Sequence, residues 1–341
     1  MESPSHLKIS TASAMALDLK QGRFYRGATN PCVNMLLTYD KGCYANCAYC
    51  GLARNRPGSY DRKSFIKVPW PTVDLDTLVN RIDERAGRVK RVCLSMITNR
   101  RCVEDALAVT RQVTARIAQP LSILISPTIM DKEDLVRFKQ AGGDMIGVAI
   151  DAATEELFKA YRGAGVNGPH KWERYWKTLD DALSVFGPRR VSVHLIVGLG
   201  ETDLELALTF QNVHDRGALI HLFSFFAEPG SVLQDRGQPL WERYLRLQLA
   251  RYLIEEDMRR LSDFAFDPAG NLIDWGITGP RLLEIVNSGR PFVTSGCPGE
   301  NGEVACNRPF GNCLPGPRQW NYPYTPNDEE LAMIRQGLGL E

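Results

Sequence analysis

From about residue 33 to residue 255, short apolar runs alternate with longer segments of helical period. The runs Val33 to Thr38, Arg91 to Ile97, Leu121 to Ser126, Met145 to Asp151, Val191 to Val197 and Leu219 to Phe226 predict six strands. Helices are predicted between them. One covers Leu75 to Ala86 with Gly87 as its C-cap, and another Val103 to Ala118, where Val103, Ala106, Leu107, Thr110, Val113 and Ile117 share a face. Asp131 followed by Asp134 reads as the start of a third, and Trp172 to Val185 and Asp203 to Asp215 continue the series. Such β/α alternation with short links implies parallel strands and crossover helices.

Splitting each strand into its two faces narrows the architecture. One face carries Val92, Leu94 and Met96, then Leu121, Ile123 and Ile125, then Ile146, Val148 and Ile150, and belongs against helices. The other carries Cys93, Ser95, Ser122, Ser126, Gly147, Ala149, Asp151, Ser192 and His194. A closed eight-stranded barrel fills its lumen with bulky branched side chains, and a doubly wound sheet is apolar on both faces. The small, polar second face instead predicts an α/β fold of partial (β/α)6 TIM-type barrel, its lumen holding a polar ligand. After Leu240 a helical segment leads out of the repeat, and Ser295 to Pro326 is rich in Gly and Pro. The expected organisation is an N-terminal extension over 1–32, the partial barrel over 33–255, and an irregular C-terminal extension over 256–341.

Composition excludes several function classes. Lys plus Arg number 41 against 40 Asp plus Glu, so no nucleic-acid footprint is present. No apolar run is long enough for a membrane helix, and the first residues lack a signal-peptide hydrophobic stretch, so a cytoplasmic location is expected. In that compartment nine cysteines serve metal binding, chemistry or packing more readily than disulfides.

Three of those cysteines stand at Cys43, Cys47 and Cys50, as C-x3-C-x2-C. Zinc sites usually want four ligands in paired knuckles, whereas a four-iron cubane on three thiolates keeps one iron open for another molecule. Cys297, Cys306 and Cys313 form a second group in the C-terminal loop. From the residues alone these three are ligands of an auxiliary iron–sulfur cluster, a zinc site completed elsewhere, or a disulfide with a spare thiol. Cys32, Cys93 and Cys102 read as small buried hydrophobes.

The motif, with Tyr49 just before its last cysteine and its place after the first strand, resembles the radical S-adenosylmethionine superfamily. That resemblance covers residues 33 to about 255. It implies a [4Fe–4S] cluster whose open iron holds S-adenosylmethionine and a 5′-deoxyadenosyl radical that reaches unactivated C–H bonds. By position, the family's cofactor contacts fall on Ser95, Thr98, Ser126, Asp151 and Arg162. The run of residues 193–202, "VHLIVGLGET", resembles the fifth-strand motif that supports adenine and contains His194. The segment Ser95-Met96-Ile97-Thr98 departs from the family's Gly-Gly-Glu and leaves backbone carbonyls to hold the methionyl amine.

The tail "TSGCPGENGEVACNRPFGNCLPGPRQWNYP", with "KWERYWKTLDDALSVFG" and "VGLGET", resembles the two-component lipoyl synthases. The resemblance implies sulfur insertion at C6 or C8 of an octanoyl chain on a carrier-protein lysine. It also implies a second [4Fe–4S] cluster on Cys297, Cys306 and Cys313 as sulfide donor. The partners it implies are an octanoylated lipoyl-carrier protein or domain, a second radical component, and a reductant such as ferredoxin or flavodoxin. Gly299 to Ala305 looks like an insertion relative to that family, and Ser295 is a candidate further ligand. A biotin-synthase-like sulfur inserter, a carbon-skeleton mutase and a non-enzymatic iron–sulfur protein remain as alternatives. No acid–base residue is named, since hydrogen abstraction by a cofactor radical requires none.

Overall fold

The computed structural model describes residues 1–60, 63, 68–311 and 318–340. The chain opens with β1 (His6–Ile9) and α1 (Thr11–Ala16), then β2 (Cys32–Leu37), the first strand of the repeat. After β3 (Thr72–Asp74) the β/α series runs α2 (Leu75–Asp83), β4 (Arg91–Ser95), α3 (Cys102–Thr114), β5 (Leu121–Ile125), α4 (Lys132–Gln140) and β6 (Met145–Asp151). It continues through α5 (Glu155–Tyr161), α6 (Trp172–Phe186), β7 (Val191–Val197), α7 (Asp203–Asp215), β8 (Leu219–Ser224) and α8 (Trp241–Glu255).

The sheet order is β3-β1-β2-β4-β5-β6-β7-β8. From β2 to β8 all neighbours are parallel, whereas β1 pairs antiparallel with both β2 and β3. Six parallel strands with helical crossovers are the partial (β/α)6 barrel that the alternation predicts, and among the described residues no ladder closes β8 back onto the other edge. Residues of the N-terminal segment 1–32 extend the sheet through β1.

Register explains why the two faces differ. Val33, Val92, Leu121 and Met35, Leu94, Ile123, Ile146, Val191 lie side by side across the strands and bury completely or nearly so against the helices. On the inner face Asn34, Cys93, Ser122 and Met145 align in one layer, and Ala149, His194 and His221 in another. The helices cap as their sequences demand. Asp131 and Asp134 exchange side-chain-to-backbone hydrogen bonds at the start of α4, at 3.1 and 3.2 Å. Asp131→Ala is expected to lower stability by about 1 kcal/mol, read as a lower urea midpoint at unchanged slope. The predicted C-cap at Gly87 is corrected: α2 ends at Asp83, and its cap is Glu84, whose N–H bonds Asn80. Strands β4, β5 and β8 stop one or two residues short of their expected ends, because their last residues turn inward to the site.

The C-terminal extension contains β9 (Ala265–Phe266), β10 (Leu272–Asp274), α9 (Gly279–Asn287), α10 (Arg308–Gly311) and α11 (Asp328–Leu338). It lies across α8 and β8. Trp241 Nε1 donates to the Gln319 carbonyl at 2.9 Å, Tyr244 Oη to the Leu222 carbonyl at 2.9 Å, and Ser295 Oγ accepts from the Leu222 N–H at 3.0 Å.

Candidate active site

The three-cysteine loop leaves the C-terminal end of β2 and is tied down on all sides. Tyr44 N–H donates to the Thr98 carbonyl at 2.8 Å, Asn99 Nδ2 to the Gly42 carbonyl at 3.1 Å, and Ala48 N–H to the Tyr161 carbonyl at 2.8 Å. These bonds aim Cys43, Cys47 and Cys50 into one cavity of ≈ 240 Å³ in the barrel mouth. All seven residues expected to contact cofactor, Tyr49, Ser95, Thr98, Ser126, Asp151, Arg162 and His194, line that same cavity.

Asp151 organises one wall. It is the last residue of β6 and sits at φ 67°, in a left-handed conformation that costs a non-glycine residue energy and is held by its partners. Tyr49 Oη donates to its Oδ2 at 2.6 Å, and Arg162 Nη1 approaches the same oxygen at 3.2 Å. Arg162 also donates to the Ala149 and Ile150 carbonyls and, at 3.2 Å, to Tyr175 Oη, with its plane 4.8 Å from the Tyr175 ring centroid. The buried Tyr175 hydroxyl and Thr128 share His170 Nδ1. Burial, with Arg162 nearby, pulls His170 down to about 2, so this imidazole is neutral. On the opposite wall the Thr98 and Ser126 hydroxyls are 3.0 Å apart. The Thr98 carbonyl is engaged by Tyr44, so it anchors the cysteine loop.

The VGLGET run makes the turn after β7. Gly198 and Gly200, at φ 109° and 125°, take conformations closed to other residues, and their N–H groups with that of Leu199 converge on the buried Glu201 carboxylate at 2.7–3.1 Å. The motif's acidic residue thus serves its own loop, while Ile196 and His194 of β7 face the cavity. His194 lies 5.0 Å from the Phe223 ring and 5.3 Å from His221. His221 is buried and His194 half-buried, and desolvation keeps both neutral, His221 at about 3.

Deeper in the lumen, at the N-terminal ends of the strands, lies a grouping that the sequence pattern does not disclose. Cys32 on β2 and Cys93 on β4 meet Cys297 and Cys306 of the C-terminal extension, with Met145 and Leu219 packed beside them. Cys32 Sγ donates to Asn34 Oδ1 at 3.9 Å, and the nearness of the Cys32 and Cys306 thiols lowers Cys306 and raises Cys32. The expectation that Cys32 and Cys93 are buried is met, at 0% and 6% exposure, but they form one cluster instead of packing separately. Cys102 is buried within α3 in the main core. Cys313 lies outside the described residues. Ser295, a candidate ligand from the sequence, spends its hydroxyl on the β8 edge.

A family model described as the Radical SAM superfamily matches residues 39–213. The chain belongs to the radical SAM superfamily. No curated protein matches it. Among solved structures, HydG, a maturase of the [FeFe]-hydrogenase, superposes with a TM-score of 0.52 at 11% identity, over 72% of this chain and 54% of that one. The radical S-adenosylmethionine methyltransferase TsrM from Kitasatospora setae gives 0.42 at 13% identity, over 62% and 39%. Coproporphyrinogen III oxidase from Escherichia coli gives 0.40 at 15%, over 72% and 56%. The chain thus spans roughly two fifths to just over half of the length of these structures, and at such identities the likeness shows the fold alone.

Radical SAM enzymes use a [4Fe–4S] cluster and S-adenosylmethionine, and the residues here fit both. Three thiols, Cys47 buried and Cys43 and Cys50 half-buried, converge on the cavity beside an arginine whose Nε is buried without a hydrogen-bond partner, and hydroxyls line the facing wall. Among the described residues no three His, Cys, Asp or Glu side chains gather closely enough to ligate a single ion. Thiolates of a cluster sit on separate irons and are accordingly spread apart. Also among the described residues, no helix is long and apolar enough to cross a membrane.

Proposed function

We propose that this radical SAM enzyme inserts sulfur into the octanoyl chain of an octanoyl-lysyl carrier protein, as one component of a two-component lipoyl synthase. The observation that carries the reading is the second thiol group. Cysteines of the C-terminal extension reach the floor of the same lumen whose mouth holds Cys43, Cys47 and Cys50. Beside its polar groups the cavity is lined by Met96, Leu124, Ile196, Phe223 and Phe225, apolar surface that an alkyl substrate can contact.

When bound at the mouth, the cluster and S-adenosylmethionine supply the radical that removes a hydrogen atom from unactivated carbon. The chain's own residues position and shield. The Tyr49–Asp151–Arg162 network fixes one wall, Thr98 and Ser126 offer hydroxyls on the other, and the neutral imidazoles add no charge to repel an alkyl chain. Each insertion would replace one C–H by one C–S bond: the 5′-deoxyadenosyl radical would take the hydrogen atom, and a second [4Fe–4S] cluster would supply the sulfide that bonds the carbon radical and the iron that accepts the one electron left over. A carrier protein, a second radical component, a ferredoxin- or flavodoxin-type reductant and a cytoplasmic setting complete the proposal.

Anaerobic incubation with an octanoyl-lysine peptide, a low-potential reductant and S-adenosylmethionine tests it by mass spectrometry. The expected result is a gain of one sulfur, from this chain alone or once the second component is added. Octanoyl peptide unchanged in both mixtures, with 5′-deoxyadenosine still formed, overturns it.

A further inference from the structure

We propose that the second iron–sulfur cluster is held by Cys32, Cys93, Cys297 and Cys306, two thiolates from barrel strands and two from the C-terminal extension. The assignment rests on the second cluster invoked above and names its seat, half of which lies in the barrel itself.

The path of the tail is built to deliver the pair Cys297 and Cys306. Residues 298–304 fold back as a small hairpin, with Pro298 bridging Val304 and the N–H groups of Ala305 and Cys306 both donating to the Cys297 carbonyl at 3.0 Å. The eight residues between the two cysteines are thereby looped out, and the thiols lie on neighbouring backbones. Gly296 permits the approach, since a Cβ there would stand 1.7 Å from the Cys306 carbonyl oxygen. Two side chains pin the hairpin to the barrel floor: Arg91 Nε donates to the Pro298 carbonyl, and Asn307 Nδ2 to the Thr29 carbonyl at 2.9 Å, just ahead of Cys32.

Electrostatics point to a negatively charged occupant. A lumen floor is ordinarily filled by branched aliphatic side chains; here four thiols replace them, and cations face them. Arg308 Nη1 lies 3.9 Å from Cys93 Sγ and donates to Ser95 at 2.7 Å, and among the described residues its guanidinium meets no carboxylate. Arg91 is 1% exposed and shared between Ser122 and Asp144. His221, 3% exposed on the inner face of β8, has an Nε2 without a hydrogen-bond partner. Arg91 already has the Asp144 carboxylate, but neutral thiols give the half-buried Arg308 guanidinium nothing to balance, whereas thiolates on iron do. Each thiol surrenders its proton as it binds metal. Arg308 also lines the substrate cavity, so the group it faces lies next to the cavity's inner end.

Iron and sulfide analysis of anaerobically reconstituted full-length protein tests the ligand set. Wild type is expected to hold about eight irons, the double variant Cys32→Ala/Cys93→Ala, left with two of the four thiolates, about four, and Cys102→Ala about eight, with circular dichroism confirming folded chains. About eight irons in the double variant overturns the assignment, as does about four in wild type. If the double variant unfolds, the near-isosteric Cys32→Ser decides: its Fe–S stretching spectrum shifts if Cys32 is a ligand, and an unchanged spectrum overturns the assignment. The two proposals fail separately. Irons that halve in the double variant while the octanoyl peptide gains no sulfur remove the function and leave the site; sulfur insertion with a double-variant count near the wild-type value does the reverse.

Discussion

Alanine in place of Cys43 is expected to abolish reductive cleavage of S-adenosylmethionine, with 5′-deoxyadenosine falling to background and bound iron falling by about four per chain. The effect should be total because the thiol has no substitute. Cys43, Cys47 and Cys50 line one cavity, and among the described residues no fourth cysteine lines it. With one thiol gone, the loop keeps only two of the three thiolates that would hold the cluster there. Cys47→Ala and Cys50→Ala should match it. Continued formation of 5′-deoxyadenosine by any of the three refutes the assignment of the loop.

The largest effect on stability is expected at Arg162. Arg162→Leu removes a 6%-exposed cation and strands the Asp151 carboxylate, held at a positive φ with Tyr49 alone among the described residues left to donate to it, together with the Ala149 and Ile150 carbonyls. Breaking one side of a buried ion pair costs about 3–5 kcal/mol, which denaturant titration of the protein would report. Arg162→Lys restores the charge without the fork and should recover part of the loss. A change below about 1 kcal/mol for the leucine variant would show that Asp151 is not held by this pair.

The parallel strands were legible because each has one face against helices and one in the lumen, so their residues alternate in character. The antiparallel strands β1 and β3 were not: HLKI and TVD are four and three residues long, too short for a pattern to stand out. The short helix α5 fell to the same limit. At the mouth of the barrel, a compact motif and positions at strand ends were enough to collect Tyr49, Ser95, Thr98, Ser126, Asp151, Arg162 and His194 on one cavity. The lower thiol group needs two facts that no local pattern carries. One is the register that sets Cys32 and Cys93 on the inner face, and the other is the return of a Gly-rich tail beneath strands hundreds of residues earlier. The alternating faces already placed Cys93 inward; what was missing was a partner for it.

That return path sets an order of assembly. Chains fold from the N-terminus as they are synthesised, so the family-matched segment 39–213 emerges with its three-cysteine loop complete. Cys32 and Cys93 are then already on their strands, yet they wait for Cys297 and Cys306 to be translated and threaded beneath them. A chain clipped ahead of residue 297 would therefore keep the three-cysteine loop and lose two of the four thiols on the lumen floor together.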